Sequence, residues 1–218
     1  MSATAELSRS DFADAAELLT EAFFDNPPHV YIVPDEGTRR ARLSWLFVRN
    51  LRLQTRFGRS FCVRAEPRAQ SAGGPGRVNA MGFWHPPGSP PISTTAMLRH
   101  GLGFAPLRLG VAATRRLLEV VDAVEVQRQA AQRGVPAWYL NNMVVRAGLR
   151  GSGVGGGLLR QQLRYVIDPS GSPAVLTTQR PENVSFYVRL GFEVVSESTV
   201  GAGPHAFSNW VMIRPIPA

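Results

Sequence analysis

The chain has 218 residues, of which 44% are hydrophobic and 18% are charged, so it can build one continuous core and is not disordered or collagen-like. No apolar run approaches the roughly eighteen residues of a membrane helix, and Met1–Leu7 has no basic stretch leading into an apolar one. We therefore expect a soluble, cytoplasmic protein with no membrane partner. The single cysteine, Cys62, excludes an internal disulfide and a Cys-rich metal site.

All 24 basic residues are arginine. The absence of lysine excludes a P-loop, a Schiff-base lysine and a Ser-Lys dyad. Residues 1–36 contain eight acids and a single base, Arg9, whereas residues 37–218 contain 23 arginines and eight acids. This asymmetry predicts two faces of opposite sign, and the positive one would suit a polyphosphate cofactor or nucleic acid.

Two helices are predicted in the first part of the chain. A capping-box pattern at Ser8–Asp11 precedes apolar residues at helical spacing up to Asp25, where Asn26-Pro27-Pro28 ends the helix. Thr38–Leu53 predicts a second helix, with an outward arginine face formed by Arg39, Arg42, Arg49 and Arg52. Because aromatic residues do not alternate with these arginines as stacking platforms, we expect a solvated face and no nucleic-acid partner.

The rest of the chain predicts an α/β (α+β) fold with a mixed sheet. Strands Phe61–Ala65 and Val78–Trp84 form a hairpin around a glycine-rich loop in residues 68–77, and residues 93–133 are mostly helical with a break near Pro106. No repeat or linker divides the chain, so we expect one domain over residues 1–218. The later elements are predicted as strand Ala137–Val145, helix Val154–Ile167, strand Ala174–Thr178, helix Glu182–Leu190, strand Gly191–Glu197 and strand Ala206–Ile213.

The segment Arg150–Gly157 carries the strongest chemical signal. It holds five glycines in seven residues, directly after a strand and directly before an apolar helix. Glycine is a poor helix residue, but it allows the backbone to approach a ligand while free N–H groups point outward at a helix N-terminus. This pattern predicts a cradle for a pyrophosphate.

Two cofactor classes fit a glycine cradle. Gly151, Gly153 and Gly156 satisfy the GxGxxG dinucleotide pattern, which also requires an acidic residue at the end of the next strand. That strand ends here in Leu176-Thr177-Thr178-Gln179, and only 67 residues follow the start of the pattern. The nicotinamide or flavin hypothesis is therefore set aside.

The second cofactor class is indicated by the spacing Arg150-x-x-Gly153-x-Gly155. The predicted strand Trp138–Val145 precedes this motif, and the segment Glu182–Phe192 follows it after about thirty residues. This arrangement resembles the GNAT superfamily of N-acetyltransferases, and most closely its puromycin N-acetyltransferase-like group. The resemblance is specific from about Pro136 to Pro215. It implies a mainly antiparallel mixed sheet flanked by helices, and acetyl-CoA (coenzyme A) as acyl donor.

The resemblance also implies a set of cofactor-binding residues. Backbone N–H groups of the turn would hold the pyrophosphate, and the pantetheine arm would lie along the preceding strand as an additional strand-like partner. One strand N–H, at or next to Val144, would stabilise the oxyanion of the attacked thioester. The residues implied are Met143, Val144, Val145, Arg150, Gly151, Ser152, Gly153, Val154, Gly155, Gly156 and Asn183; no metal site is expected.

Tyr187 is the candidate general acid. A phenol with an ordinary pKa near 10 is protonated at neutral pH and can donate to a departing thiolate, whose conjugate acid has a pKa of about 8.5. The resemblance assigns this role to the tyrosine four residues before Gly191-Phe192. The alternative is a tyrosine that only packs a short helix against the sheet.

The general base is left open by the sequence. Many GNAT members carry a carboxylate on the strand that reads Ala174–Thr178 here, and this chain has threonines instead. Asp25, His29 and His85 lie on segments that the resemblance places near the acceptor pocket, but none is assigned as catalytic.

We therefore expect a bacterial, acetyl-CoA-dependent N-acetyltransferase that moves an acetyl group directly to a primary amine of a small molecule. The alternative is a GNAT fold without turnover, which senses coenzyme A or binds a partner through its arginine face. The acceptor and the formation of a homodimer are left open.

Overall fold

The structure is a computed structural model that describes residues 4–65, 76–90 and 93–216. Seven strands form one sheet in the order β1-β2-β3-β4-β5-β7-β6, in which every neighbouring pair is antiparallel except β4 and β5. Within these ranges no helix combines the length and the apolar character needed to cross a bilayer. The strands are β1 (Thr4–Glu6), β2 (Arg59–Arg64), β3 (Val78–His85), β4 (Trp138–Val145), β5 (Ala174–Thr178), β6 (Glu193–Val200) and β7 (Phe207–Arg214).

Helices cover both faces of the sheet. On one face, buried leucines of α7 and Tyr187 of α8 pack against Leu140 and Leu176. On the other face, α1 and α3 pack over Met81 and Val144, and α6 covers the first residues of β4. The helices are α1 (Phe12–Phe23), α2 (Pro27–Ile32), α3 (Glu36–Gln54), α4 (Thr94–Arg99), α5 (Ala105–Arg108), α6 (Val111–Gln132), α7 (Val154–Gln162) and α8 (Pro181–Val188).

The parallel strands β4 and β5 separate after a short pairing. Trp138, Tyr139 and Leu140 pair with Ala174, Val175 and Leu176, and the pairing ends there. Among the described residues, 141–145 of β4 have no strand partner on this side. Their edge therefore faces an open gap that widens toward the carboxyl ends of the two strands.

A β-bulge lies where the strands begin to separate. Phe83 pairs with Asn142 and Trp84 pairs with Leu140, so Asn141 is an extra residue without a partner in β3. A bulge bends its strand and increases the local twist. The bend in β4 is therefore a cause of its divergence from β5.

The α/β prediction with a mixed, mainly antiparallel sheet is confirmed, and most elements start within two residues of their predicted positions. Two elements were missed: the short strand β1, and the helix α2, which begins at Pro27, where proline is favoured in a first turn. The tip of the predicted hairpin loop lies outside the described residues. The break near Pro106 falls instead at Gly101 and Gly110, both at positive φ.

The prediction of an outward Arg39 was wrong. Its side chain is 6% exposed, and its guanidinium donates to the carbonyl oxygens of Val33 (2.7 Å) and Pro34 (2.7 Å). These bonds satisfy the carbonyl groups between α2 and α3. Helical periodicity assigns every arginine to the exposed face, so it cannot predict an arginine that is buried because it donates to backbone carbonyl groups.

Acids of the N-terminal segment are counterions of arginines elsewhere in the chain. Asp11 binds Arg64 (2.6 Å), and Asp14 binds Arg146 (2.9 Å). These ion pairs tie the start of the chain to β2 and to the end of β4.

Asp11 is the most enclosed of these acids, with 2% of its side chain exposed. Burial alone would raise its pKa, but hydrogen bonds from Arg64 and from Ser8 together lower the pKa of Asp11 to about 2. Because the folded pKa lies below the ordinary 3.8, the charged form contributes stability above pH 4. This contribution is lost as the pH falls from about 4 toward 2.

We predict that Asp11→Asn lowers the free energy of unfolding at pH 7 by about 2 kcal/mol, the free-energy equivalent of the lowered pKa of Asp11. The variant should also flatten the acid-side dependence of stability between pH 4 and pH 2. Urea unfolding over a pH series measures both, with Asp122→Asn on the exposed surface of α6 as control. Equal acid-side slopes in Asp11→Asn and the parent would contradict the prediction.

Candidate active site

The turn that joins β4 to α7 needs glycine at two positions. Gly151 and Gly153 have φ of 78° and 84°, in the left-handed region that side chains with a Cβ rarely adopt. Gly153 occupies the N-cap position of α7. The turn therefore brings the backbone sharply from the end of β4 into the first turn of the helix.

Several backbone N–H groups of this turn are free. In the described part of the chain, no protein acceptor is found for the N–H groups of Gly151, Gly153 and residues 154–156. The N–H of Ser152 donates to the carbonyl oxygen of Leu149 at 3.3 Å. Since α7 adds the positive end of its dipole, the turn is suited to bind an anionic group.

The first turn of α7 packs on the face of β4 through Gly155. A Cβ built at Gly155 would lie 2.8 Å from Val145 Cγ2 and 3.1 Å from Met143 Cε. Met143 and Val145 therefore face α7, whereas Val144 is buried among α1 and α3. The structure thus brings the cofactor-binding residues predicted on β4 together with those predicted on the turn.

Arg160 adds a cation that the sequence analysis did not single out. Its Nη1 lies 3.2 Å from the position that a Cβ at Gly156 would take, so the guanidinium lies over the first turn of α7. Long side chains of a helix point toward its N-terminus, so the position of Arg160 one turn after Gly156 could have identified it from the sequence. The predicted Arg150 is exposed beside the same turn.

Asn183 and Tyr187 of α8 lie near the carboxyl end of β5. Asn183 Nδ2 donates to Thr178 Oγ1 at 3.2 Å, so this amide ties α8 to the last residue of β5. Tyr187 lies one helical turn later, in the core cluster that also contains Leu140 and Leu176. The bond of Asn183 thus fixes α8 relative to the gap between the strands.

The environment of Tyr187 is apolar. Its ring packs edge-on against Phe186 (5.1 Å between centroids) and Phe192 (5.8 Å). Burial raises the pKa of the Tyr187 phenol above its ordinary value, so the hydroxyl stays protonated throughout the physiological range. The hydroxyl makes no hydrogen bond within the described residues, and it is not among the fully enclosed polar atoms.

His85 lies on the opposite face of the sheet, at the end of β3. Its Nε2 is 2.6 Å from Gln54 Oε1, and its ring stacks on Tyr139 with the planes 15° apart. Burial, with a smaller effect of Arg128, lowers the pKa of His85 to about 4. His85 is therefore neutral at physiological pH.

The other two base candidates of the sequence analysis have different surroundings. The ring of His29 stacks on Phe23 (5.1 Å), its Nδ1 is enclosed without a partner, and burial lowers its pKa to about 4. The Asp25 side chain is 77% exposed and lies 3.7 Å from Arg39. Neither lies on a strand that borders the gap.

Comparison with known proteins identifies the fold. No protein-family model matches the chain. The structure is similar to an HPA2-type histone acetyltransferase and related acetyltransferase from Corynebacterium glutamicum, with a TM-score of 0.68 and 20% identity over 100% of this chain and 98% of that chain. A Drosophila melanogaster polyamine N-acetyltransferase gives 0.60 and 16% over 97% and 98%. A NatC complex bound to Gag peptide and CoA gives 0.52 and 10% over 99% and 98%.

At these identities the similarity establishes the fold. The chain has the GNAT fold, with the mixed α/β sheet that the sequence motifs predicted.

We predict that Gly155→Ala destabilises the protein by about 1–3 kcal/mol, because the added methyl group collides with Val145 and Met143. Gly157→Ala is the matched control: no atom lies within 4 Å of its Cβ position, and helix propensity should make it neutral or stabilising by up to about 1 kcal/mol. Chemical unfolding measures both variants. The cost of Gly155→Ala should shrink in a Val145→Ala background, and an unchanged cost would contradict the proposed collision.

Proposed function

We propose that the protein is an acetyl-CoA-dependent N-acetyltransferase that transfers the acetyl group directly to the amine of a small molecule. The observation that carries this proposal is that the free N–H groups of the glycine turn lie beside the unpaired residues of β4, since Gly155 packs against the side chains of Met143 and Val145. An anion site and an open strand edge at one end of the same gap match the two parts of coenzyme A, a pyrophosphate and an amide-bearing arm.

The residues present fit this donor. The N–H groups of residues 151 and 153–156 would bind the pyrophosphate, and the guanidinium groups of Arg150 and Arg160 would add positive charge beside it. The free backbone groups of residues 143–145 would pair with the amides of the pantetheine arm. Acetyl-CoA supplies the thioester carbon, which a strand N–H at or next to Val144 would polarise.

Tyr187 would act as general acid. The amine nitrogen attacks the thioester carbon, the carbon–sulfur bond breaks, and the phenol donates its proton to the departing thiolate. Burial raises the pKa of the Tyr187 phenol, and an apolar site also raises the pKa of the coenzyme A thiol that is formed. Burial therefore does not by itself oppose proton transfer from the phenol to the thiolate. The hydroxyl has no protein partner within the described residues, which supports this role.

Ligand-dependent stability is the first test of the donor. Coenzyme A and acetyl-CoA should raise the midpoint of thermal unfolding, because they bind the native state only, and NAD should not. A shift with NAD and none with coenzyme A would overturn the proposal. Binding of acetyl-CoA without thiol release across a panel of amines would instead favour a coenzyme A sensor.

The pyrophosphate site in the glycine turn is tested by comparing acetyl-CoA with an acetyl donor that has no pyrophosphate. Gly153→Ala forces a Cβ into the left-handed region, so we expect kcat/KM for acetyl-CoA to fall about tenfold or more. Activity with S-acetylpantetheine, which has no pyrophosphate, should be unchanged. Gly148→Ala in the same loop is the control, since that position has open space and no positive φ. Equal losses with both donors would contradict the assignment.

We expect Tyr187→Phe to lower kcat by about 10²–10⁴-fold, the range of general acid catalysis, and to leave the affinity for coenzyme A unchanged. Thiol release from acetyl-CoA measures kcat, and isothermal titration measures binding. Tyr165→Phe, at a 64% exposed position, is the control variant. Full activity in Tyr187→Phe would contradict the assignment of Tyr187 as general acid.

A further inference from the structure

A group of apolar side chains projects into solvent from the segment that contains α4, α5 and the start of α6. The inner face of this segment is buried, because Ala105, Leu109 and Ala113 belong to the core cluster that includes residues of α2. On the outer face, Leu107 is 79% exposed and Val111 is 75% exposed. We call the exposed apolar residues of this face the outer patch, and its members are Leu98, Phe104, Leu107 and Val111.

The members of the outer patch adjoin one another. A Cβ built at Gly103 would lie 2.5 Å from Leu98 Cδ2, so Leu98 lies beside the residue that precedes Phe104. Phe104 is the N-cap of α5, and Leu107 lies three residues later in the same short helix, at the spacing of neighbours on a helix surface. Val111 is the first residue of α6. The outer patch is therefore a contiguous apolar surface, and such surfaces mark interaction sites.

The surroundings of the outer patch are cationic. Residues 67–118 contain no aspartate or glutamate. Two arginines of α3 also lie beside the segment: Arg49 Nε is 3.2 Å from the Cβ position of Gly101, and Arg42 Nη1 is 3.9 Å from that of Gly110. In the described part of the chain, none of the arginines around the patch lies within ion-pair distance of a carboxylate. These arginines are Arg42, Arg49, Arg99, Arg108 and Arg115.

The combination of protruding apolar side chains and unpaired arginines discriminates among partners. A second copy of the chain fits poorly, because a twofold contact through this surface would bring the same arginines together. A single-stranded nucleic acid needs aromatic platforms, whereas Leu98, Leu107 and Val111 are aliphatic and cannot stack on bases. A lipid bilayer accepts protruding apolar side chains without a matching groove, and its anionic head groups attract arginine.

We propose that the outer patch docks on the surface of an anionic lipid bilayer, with Leu107 and Val111 inserted below the head groups and the surrounding arginines paired with lipid phosphates. This contact lies at the membrane surface, so it does not need the spanning helix whose absence led us to expect no membrane partner. It also gives the arginines of α3 a ligand where the sequence predicted only solvation. The docking is independent of the proposed acetyl transfer.

Co-sedimentation of the full chain with vesicles tests the docking. Vesicles of phosphatidylcholine alone are compared with vesicles of an equal mixture of phosphatidylcholine and phosphatidylglycerol. The protein should sediment with the mixed vesicles and stay in solution with the neutral ones, because the arginines need an anionic surface. The bound fraction should fall as the salt concentration is raised, since salt screens the attraction.

The apolar contribution is tested on two valines of the same helix. Val111→Asp places a charge in the outer patch and should lower the affinity for the mixed vesicles at least tenfold. Val126→Asp is the matched control: Val126 is 65% exposed near the other end of α6, outside the patch, and this variant should bind as the parent does. Thermal unfolding of both variants reports whether the fold is retained.

The electrostatic contribution is tested on the exposed arginines. Arg108→Gln and Arg115→Gln should each lower the affinity for the mixed vesicles about fivefold, the effect of one arginine near an anionic membrane surface. Arg164→Gln, at an exposed position after the end of α7, is the control and should leave the affinity unchanged.

Each contrary outcome has a clear meaning. No binding to the mixed vesicles, equal binding to both kinds of vesicle, or undiminished binding by folded Val111→Asp overturns the inference. A dimer in gel filtration that Val111→Asp dissociates, or retention on duplex DNA, overturns it in favour of another partner if vesicles are not bound. None of these results bears on acetyl transfer, and failure of every amine as acceptor would leave the docking in place.

Discussion

Three residues of β4, Trp138 to Leu140, pair in parallel with β5, and the rest of the candidate site depends on the fact that this pairing stops. If it continued, the backbone groups of residues 141–145 would be consumed by the sheet and no arm could lie along them. The separation of the strands keeps that edge free and places the glycine turn, which follows β4 directly, at the wide end of the gap.

The features that the sequence predicted well are local in the chain. Five glycines after a strand and before an apolar helix indicate a backbone turn at a helix N-terminus, and the structure has free N–H groups there. The strand Ala174–Thr178 matches β5 because a short β-branched run bounded by a proline and a polar end has few alternatives. For such segments, the residues that determine the conformation are also its neighbours in sequence.

The features that the sequence did not predict come from distant segments. Gln54 ends α3 and His85 ends β3, and only the packing of α3 on the sheet places their side chains 2.6 Å apart. Arg39 is buried because two helices leave carbonyl groups without partners, which no periodicity reports. The role of Asp11 likewise depends on Arg64, fifty-three positions later. Tertiary contacts overrule local pattern at each of these positions.

The extra residue at Asn141 determines which side chains of β4 face α7 and which face α1. Before the bulge, even-numbered residues of β4 point toward α7, as Leu140 does; after it, odd-numbered residues do so, as Met143 and Val145 show. A strict alternation along the strand would direct Val144 at the glycine turn and send its two neighbours into the layer of α1. The extra residue therefore reverses, halfway along β4, which residues face α7. The first half of the strand presents its even-numbered residues to α7, and the second half presents its odd-numbered residues.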